Sequence, residues 1–216
     1  MEKRFKTLWR RSEAEVIVEK SRFIGYAKPI QNEEEAVAFI EEVKALHKSA
    51  NHHVPIYVLG DHYEIQRYSD DGEPSGTAGI PILEMVKKEG IKNLVIVITR
   101  YFGGIKLGTG GLVRAYTAAA KSVISESKVI EKVLHDLTKV RLEYHLLGKV
   151  QNSILNNGYP IKETIFDDAV NIYTYTEVDK TDDFIKTITD ITSGKAIITI
   201  EYTEYRDLLD GKPLKE

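Results

Sequence analysis

The stretch Leu94–Tyr116, LVIVITRYFGGIKLGTGGLVRAY, joins a strand, a glycine loop and the start of a helix. Its first residues, Leu94–Ile98, are all apolar, which is typical of a buried strand. The loop that follows contains the glycines Gly103, Gly104, Gly108, Gly110 and Gly111. A strand that feeds such a loop and then a helix directs backbone N–H groups and the positive end of a helix dipole toward one point. The stretch therefore predicts a helix packed on a sheet, with an anion site at the loop between them.

Cationic side chains accompany this loop, since Arg100 precedes it, Lys106 lies within it and Arg114 follows it. Two familiar phosphate loops are excluded. A Walker A loop requires Lys and then Ser or Thr where this chain has Thr109-Gly110, and the dinucleotide pattern G-x-G-x-x-G is absent. The alternative that the glycines only allow tight turns and close packing stays open. The predicted anion- or RNA-binding set is Arg100, Lys106, Gly108, Thr109, Gly110, Gly111 and Arg114.

The composition excludes several classes of protein. The chain has 216 residues, a net charge of −3 and no cysteine, so disulfides, thiolate zinc sites and a cysteine nucleophile are excluded. Without a strongly basic surface, a nonspecific nucleic-acid coat is not expected. No apolar run approaches the roughly 20 residues that span a bilayer, and the N-terminus lacks the apolar segment of a signal peptide. We expect a cytoplasmic protein that has no membrane association.

The patterns of helix and strand divide the chain near residue 136. We predict a first domain at residues 1–135, a second at residues 136–205 and a loosely held tail at residues 206–216, with the junction at residues 128–136. The second domain has the order β-α-β-β-α-β, which is the ferredoxin-like unit. Its second helix is predicted to begin at a cap formed by Thr181-Asp182-Asp183.

The acidic loop, DDGEPSGTAG at residues 70–79, contains the catalytic candidates Asp70, Asp71 and Glu73. Neighbouring carboxylates are able to hold a hard cation or to act as an acid or base when burial raises the pKa. The hydroxyls of Ser75 and Thr77 are predicted to support the site. The alternative, also open, is a structured turn in which an aspartate accepts backbone N–H bonds.

Further polar side chains have weaker patterns. His52 and His53 are neighbours and face opposite sides of a strand, so we predict no metal site there and expect His52 to support the anion site by hydrogen bonding. Arg22 is expected to add a cation. Tyr173 and Tyr175 share one face of a strand, where they either stack on bases or pack across strands.

Three segments carry a resemblance to a known family: SRFIGYAKPI at residues 21–30, DDGEPSGTAGIPIL at 70–83 and ITRYFGGIKLGTGGLVRAYTAAA at 98–120. They resemble the N-terminal domain of the IMPACT family, in the two-domain form of the YigZ-type bacterial proteins. The resemblance implies an α+β protein with two α/β sandwich domains. The first is of the type shared with ribonuclease PH and GHMP kinases, and the second is similar to the last domain of elongation factor G.

One position departs from the family pattern. Relatives often have a Thr-His-Asn-Cys sequence where this chain has Asn51-His52-His53-Val54. The valine favours a binding role over thiol chemistry. Eukaryotic members of the family regulate translation through protein contacts. The resemblance therefore implies that this protein is also associated with translation.

We therefore expect a non-enzymatic binding or regulatory protein that is associated with translation and needs no cofactor. Its expected partners are RNA, the ribosome or a translation factor, and its expected contact is the cationic glycine loop. The alternative is an enzyme that acts on a phosphorylated or nucleotide substrate, with Asp70, Asp71 or Glu73 as base or Mg²⁺ ligand.

Overall fold

The computed structural model describes residues 2–214, which divide into two units: residues 2–131 with 209–212, and residues 132–208 with 213–214. The elements of the first unit are β1 (Arg4–Leu8), β2 (Ser12–Val18), β3 (Ser21–Pro29), α1 (Glu33–Leu46), β4 (His52–Leu59), β5 (Ile65–Tyr68), α2 (Gly79–Glu89), β6 (Leu94–Tyr101) and α3 (Gly108–Ser127). From there the chain continues through β7 (Val129–Leu142), α4 (Leu147–Asn156), β8 (Ile161–Phe166), β9 (Val170–Glu177), α5 (Thr181–Thr192), β10 (Ile197–Leu209) and β11 (Lys212–Pro213).

The first unit contains a five-stranded antiparallel sheet in the order β2-β3-β6-β4-β5. Its central strand is β6, the apolar run that opens the sequence motif. Leu94, Ile96 and Ile98 enter a core with α2 and α3, whereas Val95 and Val97 enter a second core with α1. The run is continuously apolar because helices cover both faces of the sheet, and the predicted buried strand is confirmed.

The second unit has the predicted order β7-α4-β8-β9-α5-β10, and its strands lie side by side in the order β10-β7-β9-β8. The ferredoxin-like succession of elements is therefore confirmed. Its core lies between the sheet and the two helices and consists of Val140, Leu142, Val150, Ile154, Val170, Ile172, Phe184 and Ile188. Over residues 2–214, two sheets and five α-helices make the chain an α+β protein. Its relationships to ribonuclease PH, GHMP kinases and elongation factor G stay predictions.

The Asn32 side chain caps helix α1, because it accepts a hydrogen bond from the backbone N–H of Glu35 at 2.9 Å. Helix α5 does not begin at the predicted Thr181-Asp182-Asp183 cap. Its cap residue is Lys180, which forms no side-chain capping bond with any described residue. Thr181 instead donates from Oγ1 to Oδ2 of Asp136 at 2.7 Å, so the hydroxyl assigned to capping belongs to a buried contact with β7.

The chain around the predicted junction is regular strand. Residues 128–136 fall almost wholly within β7, where Ile130 and Val133 are buried, so the predicted junction is part of a strand, and it contains the division between the two units. The structure divides the units at residues 131 and 132, whereas the sequence pattern placed the boundary at 135 and 136. The first four residues of the predicted tail, 206–209, continue β10, and residues 215 and 216 of that tail lie outside the described residues.

Strand β1 was not predicted from the sequence. Within residues 2–214, no helix combines the length and the apolar character needed to cross a bilayer.

Candidate functional site

A cavity of about 570 Å³ lies in the first unit beside the glycine loop. Its volume is within the range of roughly 300–1,000 Å³ that is usual for small-ligand sites. The lining combines charged and apolar side chains from the β2–β3 turn, the glycine loop and the first turns of α3. The lining residues are Val18, Glu19, Ile105, Lys106, Leu107, Gly111, Arg114, Ala115 and Ala118. We call this space the glycine-loop cavity.

The glycine-loop cavity brings together part of the predicted anion-binding set. Lys106, Gly111 and Arg114 line it, and the first turn of α3, which begins at Gly108, includes Thr109 and Gly110. No side chain among the described residues caps this end of α3, and its first turn has no acidic residue. The first N–H groups of the helix therefore have no side-chain acceptor at the cap, which favours an anion there.

The β2–β3 turn forms one wall of the cavity. Glu19 and Lys20 occupy its two central positions with φ values of 46° and 65°, the left-handed region in which Asn and Gly are preferred in such turns. Gly103 packs against this turn so closely that a Cβ atom would lie 2.0 Å from the carbonyl carbon of Lys20. Its N–H donates to Oγ of the buried Ser21 at 3.1 Å. The turn is thereby held against the glycine loop, with Glu19 in the cavity wall.

Arg100 does not line the cavity, which corrects its assignment as an anion ligand. Its Nη1 donates to Oε1 of Glu73 at 2.6 Å, and the same oxygen accepts from the Tyr116 hydroxyl at 2.7 Å. The rings of Phe23 and Phe102 lie 5.3 and 5.6 Å from the guanidinium carbon. Arg100 is only 5% exposed, so its charge is engaged inside the protein. We call Glu73, Arg100 and Tyr116 the buried triad.

The alternation of β6 is the reason for this placement. Arg100 follows Ile96 and Ile98 at intervals of two residues, so its side chain enters the same core, on the side of α2 and α3. Burial raises the pKa of the Tyr116 hydroxyl, and its hydrogen bond to Glu73 adds to this effect. The tyrosine therefore acts in the buried triad as a neutral donor.

The carboxylate of Asp70 is occupied by the backbone of its own loop. Oδ2 accepts from the N–H of Gly76 at 2.7 Å, while Oδ1 accepts from Ala78 at 3.1 Å and from Gly79 at 2.8 Å. These N–H groups lie at the start of α2, whose own cap residue, Ala78, supplies no side-chain bond to a described residue. Asp70 thus caps α2 from a distance, as the structured-turn alternative requires.

Asp71 and Thr77 of the acidic loop are also engaged in hydrogen bonds. Oδ2 of Asp71 accepts from the His53 N–H at 2.5 Å, and its carbonyl oxygen lies 2.7 Å from Nδ1 of His52. Thr77 donates from Oγ1 to the carbonyl of Pro74 at 2.6 Å, and Ser75 is exposed. Within the described residues, no three His, Asp or Glu side chains converge as metal ligands.

None of the four predicted supporting residues, Arg22, His52, Ser75 and Thr77, is in the cavity lining. Nε2 of His52 lies 3.8 Å from Oε1 of Glu73, beside the buried triad. Arg22 is exposed and forms a bidentate ion pair with Glu15, with N–O distances of 2.8 and 3.0 Å. His53 turns to the other face of the sheet, where Nδ1 lies 3.1 Å from Oγ1 of Thr99. Burial lowers the pKa of His53.

Two residues of these sites were missed from the sequence. Glu19 lies outside the motifs from which the site was predicted, although the polar pair Glu19-Lys20 between two strands was an available signal. Tyr116 lies on the core face of α3, and periodicity does not reveal that its hydroxyl has a buried carboxylate as its partner.

The paired tyrosines of β9 in the second unit both contact cations. The ring of Tyr173 lies 5.7 Å from Nζ of Lys139, and the ring of Tyr175 lies 4.0 Å from the guanidinium carbon of Arg206. Tyr175 is buried. Its ring face is covered by the protein itself, which favours the packing alternative over base stacking.

Comparison with known proteins gives consistent matches across both units. Residues 19–124 match the Impact N-terminal domain, and residues 140–195 match a domain of unknown function, DUF1949. The chain is 41% identical over 186 residues to IMPACT family member YvyE of Bacillus subtilis, covering 86% of each chain. It is 38% identical over 151 residues to IMPACT family member YigZ of Escherichia coli, covering 66% of this chain and 74% of that protein.

A solved structure of a hypothetical protein superposes with a TM-score of 0.59 at 28% sequence identity, covering 94% of this chain and 99% of the other. The likeness extends over both matched regions. The sequence motifs, the order of the elements and the identity to YvyE agree, and the chain therefore belongs to the IMPACT family as a YigZ-type member.

Proposed function

We propose that this protein is a non-enzymatic regulatory protein associated with translation that binds RNA phosphate groups at the glycine-loop cavity. One observation carries the proposal: Lys106 and Arg114 both line the cavity next to the start of α3. Neither side chain forms an ion pair with any residue in the described part of the chain. Their charges are available to a ligand, in contrast to that of Arg100.

The arrangement suits a phosphate for a physical reason. Two cations line the cavity beside the first turn of α3, whose N–H groups have no side-chain acceptor at the cap, and charge-assisted hydrogen bonds to a phosphate are stronger than neutral ones. The net charge of the whole chain is −3, so overall charge does not attract RNA, and binding depends on local groups of cations such as this one. We therefore expect binding that is local, moderate in affinity and sensitive to salt.

The association with translation rests on family membership. The family resemblance supplies it, and the fold alone does not determine function. RNA, free or within the ribosome, is the partner class whose chemistry fits the two cations directly. The proposal also includes a translation factor as a partner, provided that the factor binds this protein together with RNA.

The enzymatic alternative needs a carboxylate that is free to bind Mg²⁺ or to accept a proton. Asp70 already accepts three backbone N–H bonds, and Glu73 accepts the hydrogen bonds of Arg100 and Tyr116 on one oxygen. These carboxylates have structural tasks, and no acidic-loop residue lines the glycine-loop cavity. The geometry therefore supports binding better than catalysis.

The test is fluorescence anisotropy of a labelled single-stranded RNA across a salt series. It compares wild type, the double variant Lys106→Ala/Arg114→Ala and the control Lys121→Ala, which removes an exposed cation farther along α3. We expect the double variant to bind at least 10-fold more weakly. We also expect its slope of log affinity against log salt to be shallower by about 1.4, the value for two lost single-strand contacts. Equal slopes for wild type and double variant would contradict the proposal.

A further inference from the structure

We infer that the glycine-loop cavity recognises a nucleoside monophosphate group, such as a phosphorylated RNA end, and not an internal phosphate of the RNA backbone. The inference rests on the proposed phosphate site and specifies which chemistry fills the rest of the cavity. Three features of the cavity carry it: its apolar walls, its single carboxylate and its pair of cations.

The apolar lining of the cavity favours a ligand that has an apolar part in addition to a phosphate. Leu107, Ala115 and Ala118 line the cavity together with the two cations. A volume of about 570 Å³ leaves most of these walls unoccupied when a lone phosphate is bound. A base or a ribose attached to the phosphate covers them, and small-molecule sites characteristically combine apolar walls with a few polar groups that set orientation.

The carboxylate of Glu19 determines what kind of polar group accompanies the phosphate. Glu19 is one of the lining residues, and a carboxylate beside a bound phosphate repels the anion unless the ligand also brings a hydrogen-bond donor for that carboxylate. Ionised carboxylates only accept hydrogen bonds, and ribose hydroxyls or exocyclic base amines are the donors that a nucleoside offers.

The two cations match the charge of a phosphate monoester. A monoester carries about −1.5 to −2 charges at neutral pH, whereas an internal phosphodiester carries a single charge. Lys106 and Arg114 both line the one cavity, so together they balance a monoester. An internal diester would leave one cation without a partner inside the cavity.

The experiment uses the full chain and compares ligands before it compares variants. Calorimetry measures the affinity of the protein for AMP, for adenosine and for inorganic phosphate. Anisotropy measures one RNA sequence with a 5′-phosphate, with a 3′-phosphate and with neither. We expect AMP to bind at least 10-fold more tightly than adenosine or inorganic phosphate. We also expect at least one phosphorylated RNA to bind about 10-fold more tightly than the unphosphorylated RNA.

The two sources of the ligand are distinguished by the same data. Tighter binding of phosphorylated RNA than of AMP identifies an RNA end, and equal affinities identify the free nucleotide. The variant Glu19→Gln, which keeps the shape of the side chain, is expected to weaken AMP binding about fivefold while inorganic phosphate binds no more weakly than to wild type.

Two results would overturn the inference. If all three RNA forms bind equally and lose affinity in Lys106→Ala/Arg114→Ala, the cavity binds internal phosphates, and the proposed function stands without this inference. If no RNA and no phosphate compound binds, the proposed function fails together with it. A loss of inorganic phosphate binding in Glu19→Gln that equals the loss of AMP binding would contradict the assigned role of Glu19.

Discussion

Arg100 donates from Nη1 to Oε1 of Glu73 at 2.6 Å, and the two side chains are only 6% and 3% exposed. This ion pair joins the acidic loop to the central strand of the first unit, and the Tyr116 hydroxyl joins both to α3. The acidic loop and the stretch Leu94–Tyr116 are therefore connected through a buried contact. Arg100 supports the architecture around the glycine-loop cavity without lining it.

Removal of Glu73 is expected to be strongly destabilising. In Glu73→Ala, the guanidinium of Arg100 stays buried without its counter-charge, and we expect the free energy of unfolding to fall by about 3–5 kcal/mol. The matched control is Glu84→Ala, which removes an exposed carboxylate paired with Lys87 and should cost no more than about 1 kcal/mol. Urea denaturation measures the free energy of unfolding of both variants. Similar decreases in the two variants would show that the buried triad is not a stabilising unit.

The helix-capping role of Asp70 predicts a local effect. Asp70→Ala leaves the N–H groups of Gly76, Ala78 and Gly79 without their acceptor, and we expect a loss of about 1–2 kcal/mol. Hydrogen exchange should accelerate at these three amides and at the start of α2. Ser75→Ala is the control within the same loop and should change stability by less than about 0.5 kcal/mol. Unchanged exchange at the three amides would refute the capping role.

The close approach of Gly103 to Lys20 predicts different outcomes for two glycines of one loop. A methyl group in Gly103→Ala meets the backbone of Lys20 at 2.0 Å, so the β2–β3 turn must move and RNA binding should weaken together with stability. In Gly110→Ala, the nearest atom is Nη1 of Arg114, at 3.6 Å, and alanine is the better helix former. The melting temperature of Gly110→Ala should equal or exceed that of wild type, and the melting temperature of Gly103→Ala should be clearly lower. The reverse order would contradict the turn contact.

The lowered pKa of His53 predicts a pH dependence of stability. Burial favours its neutral form, and the nearby His47 and Lys44 act in the same direction, whereas Asp71 opposes them. The stabilising contribution is therefore present above the ordinary pKa of about 6.5 and is lost as the pH falls, because the unfolded chain takes up the proton first. Urea unfolding between pH 7.5 and 5.5 should show a shallower loss for His53→Asn than for wild type, with a difference of at most about 1.4 kcal/mol per pH unit. Parallel curves would exclude His53 as a source of this dependence.

Periodicity was sufficient to predict the elements around the site. The apolar run of β6 and the spacing of small residues in α3 identify a buried strand and a packed helix, because each pattern matches one repeat of the backbone. The order of elements in the second unit follows in the same way. Strand β1 and the first part of β7, residues 129–136, were missed, since mixed polar and apolar residues in those segments give no clear period.

Contacts between distant segments were the part that sequence did not reveal. Arg100, Lys106 and Arg114 look equivalent as cations around a glycine loop, yet strand alternation buries the first and leaves the other two at the cavity. The pairing of Arg100 with Glu73 joins residues 27 positions apart, which no local pattern specifies. Glu19 enters the cavity wall only because a hairpin turn packs on Gly103.

The most direct measurement for the central claim is a set of ¹H–¹⁵N spectra of the full chain titrated with a short phosphorylated RNA. If the glycine-loop cavity is the phosphate site, the backbone amides from Leu107 to Arg114 and that of Glu19 will shift together, and they will stay unchanged in Lys106→Ala/Arg114→Ala. Shifts confined to the second unit, with these amides unmoved in wild type, would contradict the account.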